Sequence, residues 1–141
     1  MIKSEYTEQR DRHQKKINDF LSKYAFFAFN PEQFMEGLGR LHASKEDVTR
    51  FCPGGYMVRA KVPDYLKLAE DLRKERDQAA KDPAFAFDMF RYELANHEYS
   101  YTGSAEDAID ALGYTFDEIR ADPVLNEALN KAINELMKEE N

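Results

Sequence analysis

Eight of the eleven residues from Phe85 to Ala95 are apolar, and they include Phe85, Met89, Phe90, Tyr92 and Leu94. At helical spacing they cover nearly the whole circumference. A helix apolar on almost every side is stable only when other elements surround it, so the rest of the chain has to supply that shell. Asp82-Pro83 sets where this helix begins. The carboxylate accepts from the first free N–H groups, and proline stands where its missing N–H costs nothing. Asn30-Pro31 and Asp122-Pro123 repeat the signal, which predicts helices from Pro31 and Pro123. Gln33 is placed to complete a capping box with Asn30. Two further boxes are read at Ser104–Asp107 and Thr115–Glu118, and Gly113 suits the left-handed residue that would end a helix between them.

The flanking segments fill in the shell. Ile17, Phe20, Leu21 and Tyr24 recur at three- and four-residue spacing, predicting an amphipathic helix over about 4–24. Its first part, within residues 1–16, is mostly polar and is expected to project or fray. The aromatic run Tyr24–Phe29 reads as a buried connector, because exposed it would promote aggregation. A charged helix is expected over about 64–81. Only Val48–Cys52 and Tyr56–Ala60 read as strands, with Pro53-Gly54-Gly55 as the turn between them. The expected fold is α+β: one mostly helical domain over residues 1–141, with five or six helices and a small two-stranded hairpin.

Cys52 is the only cysteine among 141 residues, so an internal disulfide and a thiolate metal cluster are both excluded, and a reducing compartment is expected. The N-terminal residues lack the apolar stretch of a secretory signal. The longest apolar run, Tyr24–Phe29, falls far short of the roughly 20 residues of a membrane span. These features point to the cytoplasm and to no membrane partner. The net charge is −7, unevenly distributed. Residues 1–81 carry sixteen Lys/Arg against thirteen Asp/Glu, and residues 82–141 carry four against fourteen.

One pair of residues is compatible with chemistry. Glu93 and His97 lie one turn apart on an apolar stripe, as an acid–base pair or half a metal site would. The same spacing also suits a buried, hydrogen-bonded pair that orients the segment after the helix, and this is the expected reading. No phosphate-cradling loop, nucleophile elbow or His-Glu-x-x-His motif is present. No catalytic residue, metal or cofactor is expected, and the chain is not read as an enzyme. The basic residues of the first half alternate with acids, as in Arg10-Asp11-Arg12, so direct nucleic-acid binding is disfavoured. From Glu98 to Asp122 there are seven carboxylates against one base, Arg120. A protein-binding face is therefore expected at Glu98, Tyr99, Tyr101, Glu106, Asp107, Asp110, Asp117 and Glu118, with the tyrosines supplying contact area. Keeping the surface solvated is the competing role for that charge.

The strings Phe26–Phe34 and Tyr92–Tyr99, with Asp110–Gly113 and Thr115–Ile119, resemble a family of small acidic proteins of unknown function from phages, other mobile elements and gut Firmicutes. The similarity spans roughly residues 25–125. The resemblance carries over no catalytic residues. It implies a context in which small acidic phage proteins inhibit host defence, anti-CRISPR proteins among them. The partner expected on that basis is the RNA-guided nuclease of a type II system, with a phage or host accessory protein-interaction module as the alternative.

Overall fold

The elements begin where the caps direct. Asn30 Oδ1 accepts from Gln33 N–H at 2.8 Å, and α2 (Pro31–Leu41) starts with its proline at the first position. Gln33 Oε1 reaches back one residue further than a capping box requires, accepting from Phe29 N–H at 2.8 Å. Asp82 caps α4 (Pro83–Asn96), and Asp122 Oδ1 accepts from Val124 and Leu125 at 3.0 and 3.2 Å to open α8 (Pro123–Glu139). The structure, a computed structural model, describes residues 3–139. It divides into two compact units, Asp11–Lys74 and the remainder, Met1–Arg10 with Glu75–Asn141. Neither boundary falls in a linker. One lies inside α1 (Glu5–Tyr24) and the other inside α3 (Val62–Ala79).

Asp11–Lys74 holds a sheet of order β1-β3-β2, made by β1 (Ala25–Phe27), β2 (Val48–Cys52) and β3 (Gly55–Val58), antiparallel throughout. β3 is central, pairing Tyr56 with Phe26 on one side and Arg50 on the other. Phe26 stacks on Tyr56 with ring centroids 5.5 Å apart and meets Phe34 edge-on at 5.7 Å. Leu38 and Val48 complete this small core. α2 lies close to the sheet because Gly37 has no side chain: a Cβ there would fall 2.1 Å from the Phe26 ring.

In the other unit α4 is the hub. Ala86, Met89, Phe90 and Leu94 are fully buried, and α4 packs most extensively on α8, then on α6 (Glu106–Leu112). Each large side chain removed from water in this way contributes about 1.5–3 kcal/mol. α5 (Tyr99–Thr102) and α7 (Phe116–Ala121) are short, α5 packing on α4 and α7 on α8.

Several expectations are corrected. The described residues contain eight α-helices rather than five or six, and three strands rather than two. The additional strand is β1, so the aromatic run is not simply a buried connector: Ala25, Phe26 and Ala28 are buried, but Phe27 and Phe29 are exposed. Met1 and Ile2 lie outside the described residues, but α1 is continuous from Glu5, anchored by buried Tyr6 and Gln9. The Ser104–Asp107 capping box is absent, because α6 starts at Glu106 with Ala105 at the cap position. Ser104 Oγ instead accepts from Glu106 N–H at 3.3 Å. Among the described residues no helix is long and apolar enough to cross a membrane.

Candidate functional site

Two short helices, α6 and α7, carry most of the acidic residues, and Glu98 stands immediately before α5. The larger aliphatic residues of α6 and α7 turn inward, while Ala111, Phe116 and Ala121 stay exposed. Ala108, Ile109 and Leu112 of α6 and Ile119 of α7 are buried, which leaves Glu106, Asp107, Asp110, Asp117 and Glu118 exposed on the opposite side. Gly113 ends α6 at φ 77°, a left-handed conformation open to a residue without Cβ. It turns the chain so that Thr115 can cap α7. There the reciprocal box forms, with Glu118 N–H donating to Thr115 Oγ1 at 3.1 Å and Thr115 N–H to Glu118 Oε1 at 3.0 Å. Glu118 therefore serves the fold as well as the surface. Asp117 pairs with Arg120 one turn on. Glu98 is also exposed and takes φ 57°, a strained value for a non-glycine residue.

The two tyrosines of the predicted face differ. Tyr101 is 94% exposed, whereas Tyr99 is half-buried against the α4 core. Tyr114, a third aromatic in this acidic region, is buried. Its hydroxyl donates to Asp77 at 2.9 Å and the Arg76 guanidinium lies 4.9 Å over its ring, so it contributes to packing rather than to a surface.

The charge partition follows the two units. Asp11–Lys74 carries twelve Lys/Arg against nine Asp/Glu, a net of +3. The remainder carries eight against eighteen, a net of −10. The acidic helices thus belong to a strongly negative unit and are not offset by bases elsewhere in it.

Glu93 and His97 do come together, with Nε2 3.4 Å from Oε2. Glu93 is only 5% exposed, and two residues that sequence patterning misses complete its surroundings. Tyr6 Oη donates to Oε1 at 2.7 Å, and Arg10 Nε lies 3.3 Å from the same oxygen. Tyr6 and Arg10 are four residues apart on α1, as Glu93 and His97 are on α4, so two helical ladders face each other. Four-residue spacing was legible in each helix, but nothing local links them. The phenol of Tyr6 is held well above its usual range, first by burial and then by its bond to the carboxylate. A carboxylate ringed by a phenol, a guanidinium and an imidazole is a satisfied ionic anchor. Among the described residues no cluster of three or more His, Cys, Asp and Glu is placed to hold a metal.

Sequence patterning also misses an exposed apolar patch in Asp11–Lys74, where Phe27, Phe29 and Met35 are 52%, 78% and 65% exposed. The one local sign was an aromatic residue immediately before the Asn30-Pro31 cap. No curated protein and no solved structure matches the chain. A family model, described as a family of unknown function (DUF7659), matches residues 5–135, and the chain belongs to that family.

Proposed function

We propose that the protein acts by binding another protein through the acidic face of α5–α7, and that it does so as an inhibitor that occupies basic surface otherwise used by nucleic acid. The observation that carries this reading is the exposure of six carboxylates (Glu98 just before α5, Glu106, Asp107 and Asp110 on α6, and Asp117 and Glu118 on α7) in a unit with net charge −10. Fixed negative charge on short, well-anchored helices is suited to a cationic groove, where it steers association and rejects unlike partners. The most specific form of the proposal is an anti-CRISPR-type inhibitor of a type II RNA-guided nuclease. Such enzymes hold a heteroduplex in a positively charged channel, and this form takes its support from the resemblance to phage proteins. The site of action would then be the bacterial cytoplasm. Catalysis at Glu93 is not proposed, because its carboxylate already accepts from Tyr6 and lies within 3.3–3.4 Å of Arg10 and His97.

The test is inhibition of guided DNA cleavage by several type II nucleases, with guide RNA or target DNA added before or after the protein. Competition predicts that preloaded nucleic acid protects the nuclease. Asp110→Lys combined with Glu106→Gln should slow association and flatten its salt dependence. Glu106 is neutralised rather than reversed because it opens α6, where a cation opposes the helix dipole. Equal inhibition by the wild type and the double variant at all salt concentrations would eliminate the acidic face as the binding surface. Absence of inhibition across the nucleases would favour an accessory interaction module without a defence role.

A further inference from the structure

A groove of about 710 Å³ opens on Asp11–Lys74 between the start of α2 and the turn joining β2 to β3. Phe29, Phe34, Met35 and Tyr56 give it apolar walls. Lys45 and Arg50 supply charge, and no carboxylate is among its described lining residues. Phe29 and Met35 are largely exposed, at 78% and 65%, more than a fold concerned only with its own core would leave open at one place.

The exposed aromatic is rigidly presented. Ala28 N–H donates to Gly54 O at 2.8 Å, and Phe29 N–H donates to Gln33 Oε1 at 2.8 Å, so the backbone leading into the ring is pinned. The ring itself lies on the bare backbone of Gly54, which sits at φ 76°; a Cβ there would fall 2.3 Å from Phe29. Glycine is thus required at this turn both for its conformation and for the ring to rest on it. An aromatic side chain fixed before binding loses little entropy on contact, as in the residues that dominate binding energy at interfaces.

The charge around the groove selects the occupant. Lys45, Arg50 and the N-terminal end of α2 all favour negative groups, while the walls favour an apolar side chain. We propose that the groove binds a segment of a partner protein in which an aromatic or large aliphatic side chain is flanked by carboxylates. A polyphosphate chain is a poorer match, because the groove's lining offers only two cations, Lys45 and Arg50, beside apolar walls, too few to neutralise a run of phosphates. The proposal is independent of the acidic face, since it is read on variants of Asp11–Lys74 alone.

A display library of random twelve-residue peptides, panned on the full chain, tests it. The enriched peptides should combine an aromatic or large aliphatic residue with at least two Asp or Glu. They should bind Phe29→Ala, and separately Lys45→Glu with Arg50→Glu, about tenfold or more weakly. Phe29→Tyr, which keeps the ring, should retain binding, and unchanged melting of Phe29→Ala would confirm that the fold is intact. No enrichment over Phe29→Ala, or enrichment of basic or uncharged peptides, would overturn the proposal. So would Phe29-dependent binding of a fifteen-nucleotide oligothymidylate tighter than that of the peptides. Concentration-dependent dimerisation abolished by Phe29→Ala would overturn it in favour of a second copy of the chain as occupant.

Discussion

Glu93 carries a buried charge whose stability rests on its donors, and those donors are unequal. Tyr6 gives the shortest bond, 2.7 Å, from a buried hydroxyl; His97 stands at 3.4 Å on a side chain 30% exposed. A hydrogen bond to a charged group contributes about 1.5–3 kcal/mol, and an imperfect, partly solvated one contributes less. Tyr6→Phe should therefore destabilise by about 1.5–3 kcal/mol and His97→Ala by about 0.5–1.5 kcal/mol, measured by urea unfolding. If His97→Ala keeps its stability yet abolishes a measured activity, the pair is functional rather than an anchor. The same burial gives a pH dependence. In the folded state the Tyr6 phenol, and to a lesser degree that of Tyr114, is raised above the ordinary value of 10.0. The stabilisation is complete below pH 10 and is lost as pH rises through the folded-state values, because the unfolded phenols release their protons first. A tyrosinate absorbance titration of the eight tyrosines should leave at least two protonated above pH 10 until the chain unfolds. Full ionisation of all eight before unfolding would show that Tyr6 is not sealed against Glu93.

At the scale of elements, the two helical glycines of α2 should respond in opposite directions to the same substitution. A Cβ at Gly39 would have nothing within 4 Å, so Gly39→Ala should stabilise by about 0.5–1 kcal/mol through helix propensity. At Gly37 that gain is outweighed. The new methyl would meet the ring of buried Phe26 at 2.1–2.6 Å, and overpacking a core of this kind costs about 1–3 kcal/mol. Thermal melts of the two variants, moving in opposite senses, are the check. What the sequence disclosed about elements followed the strength of local chemistry. Asn30, Asp82 and Asp122 before proline located three helices because a cap and a fixed φ act within four residues. α5 has four residues and no period, and β1 has three residues that follow α1 directly, without a glycine or proline break. β1 is held by Tyr56 of β3, far along the chain, and α5 by the end of α4 that it follows, so no pattern within either announces it. The candidate sites divide in the same way. The exposed carboxylates were legible because α6 alternates them with Ala108, Ile109 and Leu112. The groove was not, because Phe29 meets Gly54 across 25 residues of chain.

For the molecule as a whole, the unequal charge of its two units predicts how stability responds to salt. Within Met1–Arg10 with Glu75–Asn141, ion pairs and like-charge repulsion oppose each other, and screening weakens both. The exposed pairs Lys131–Glu127, Arg120–Asp117 and Arg91–Glu139 contribute at most about 1 kcal/mol each and commonly less. Ten unbalanced negative charges form several tens of like-charge pairs. At separations of about 15 Å in water each pair costs about 0.3 kcal/mol, part of which persists in the unfolded chain. Repulsion therefore outweighs the pairs, and physiological salt, with a screening length of about 8 Å, removes most of it. A net relief of the order of 1 kcal/mol corresponds to a rise in Tm of about 2–6 °C for a chain of this length. Melting should move upward between low and physiological salt. Asp110→Asn with Glu98→Gln should raise Tm at low salt and shrink the rise, since it removes two of the charges being screened. A Tm that falls as salt is added would show that ion pairs dominate the negative unit. Its exposed carboxylates would then be engaged within the fold and unavailable to a cationic partner.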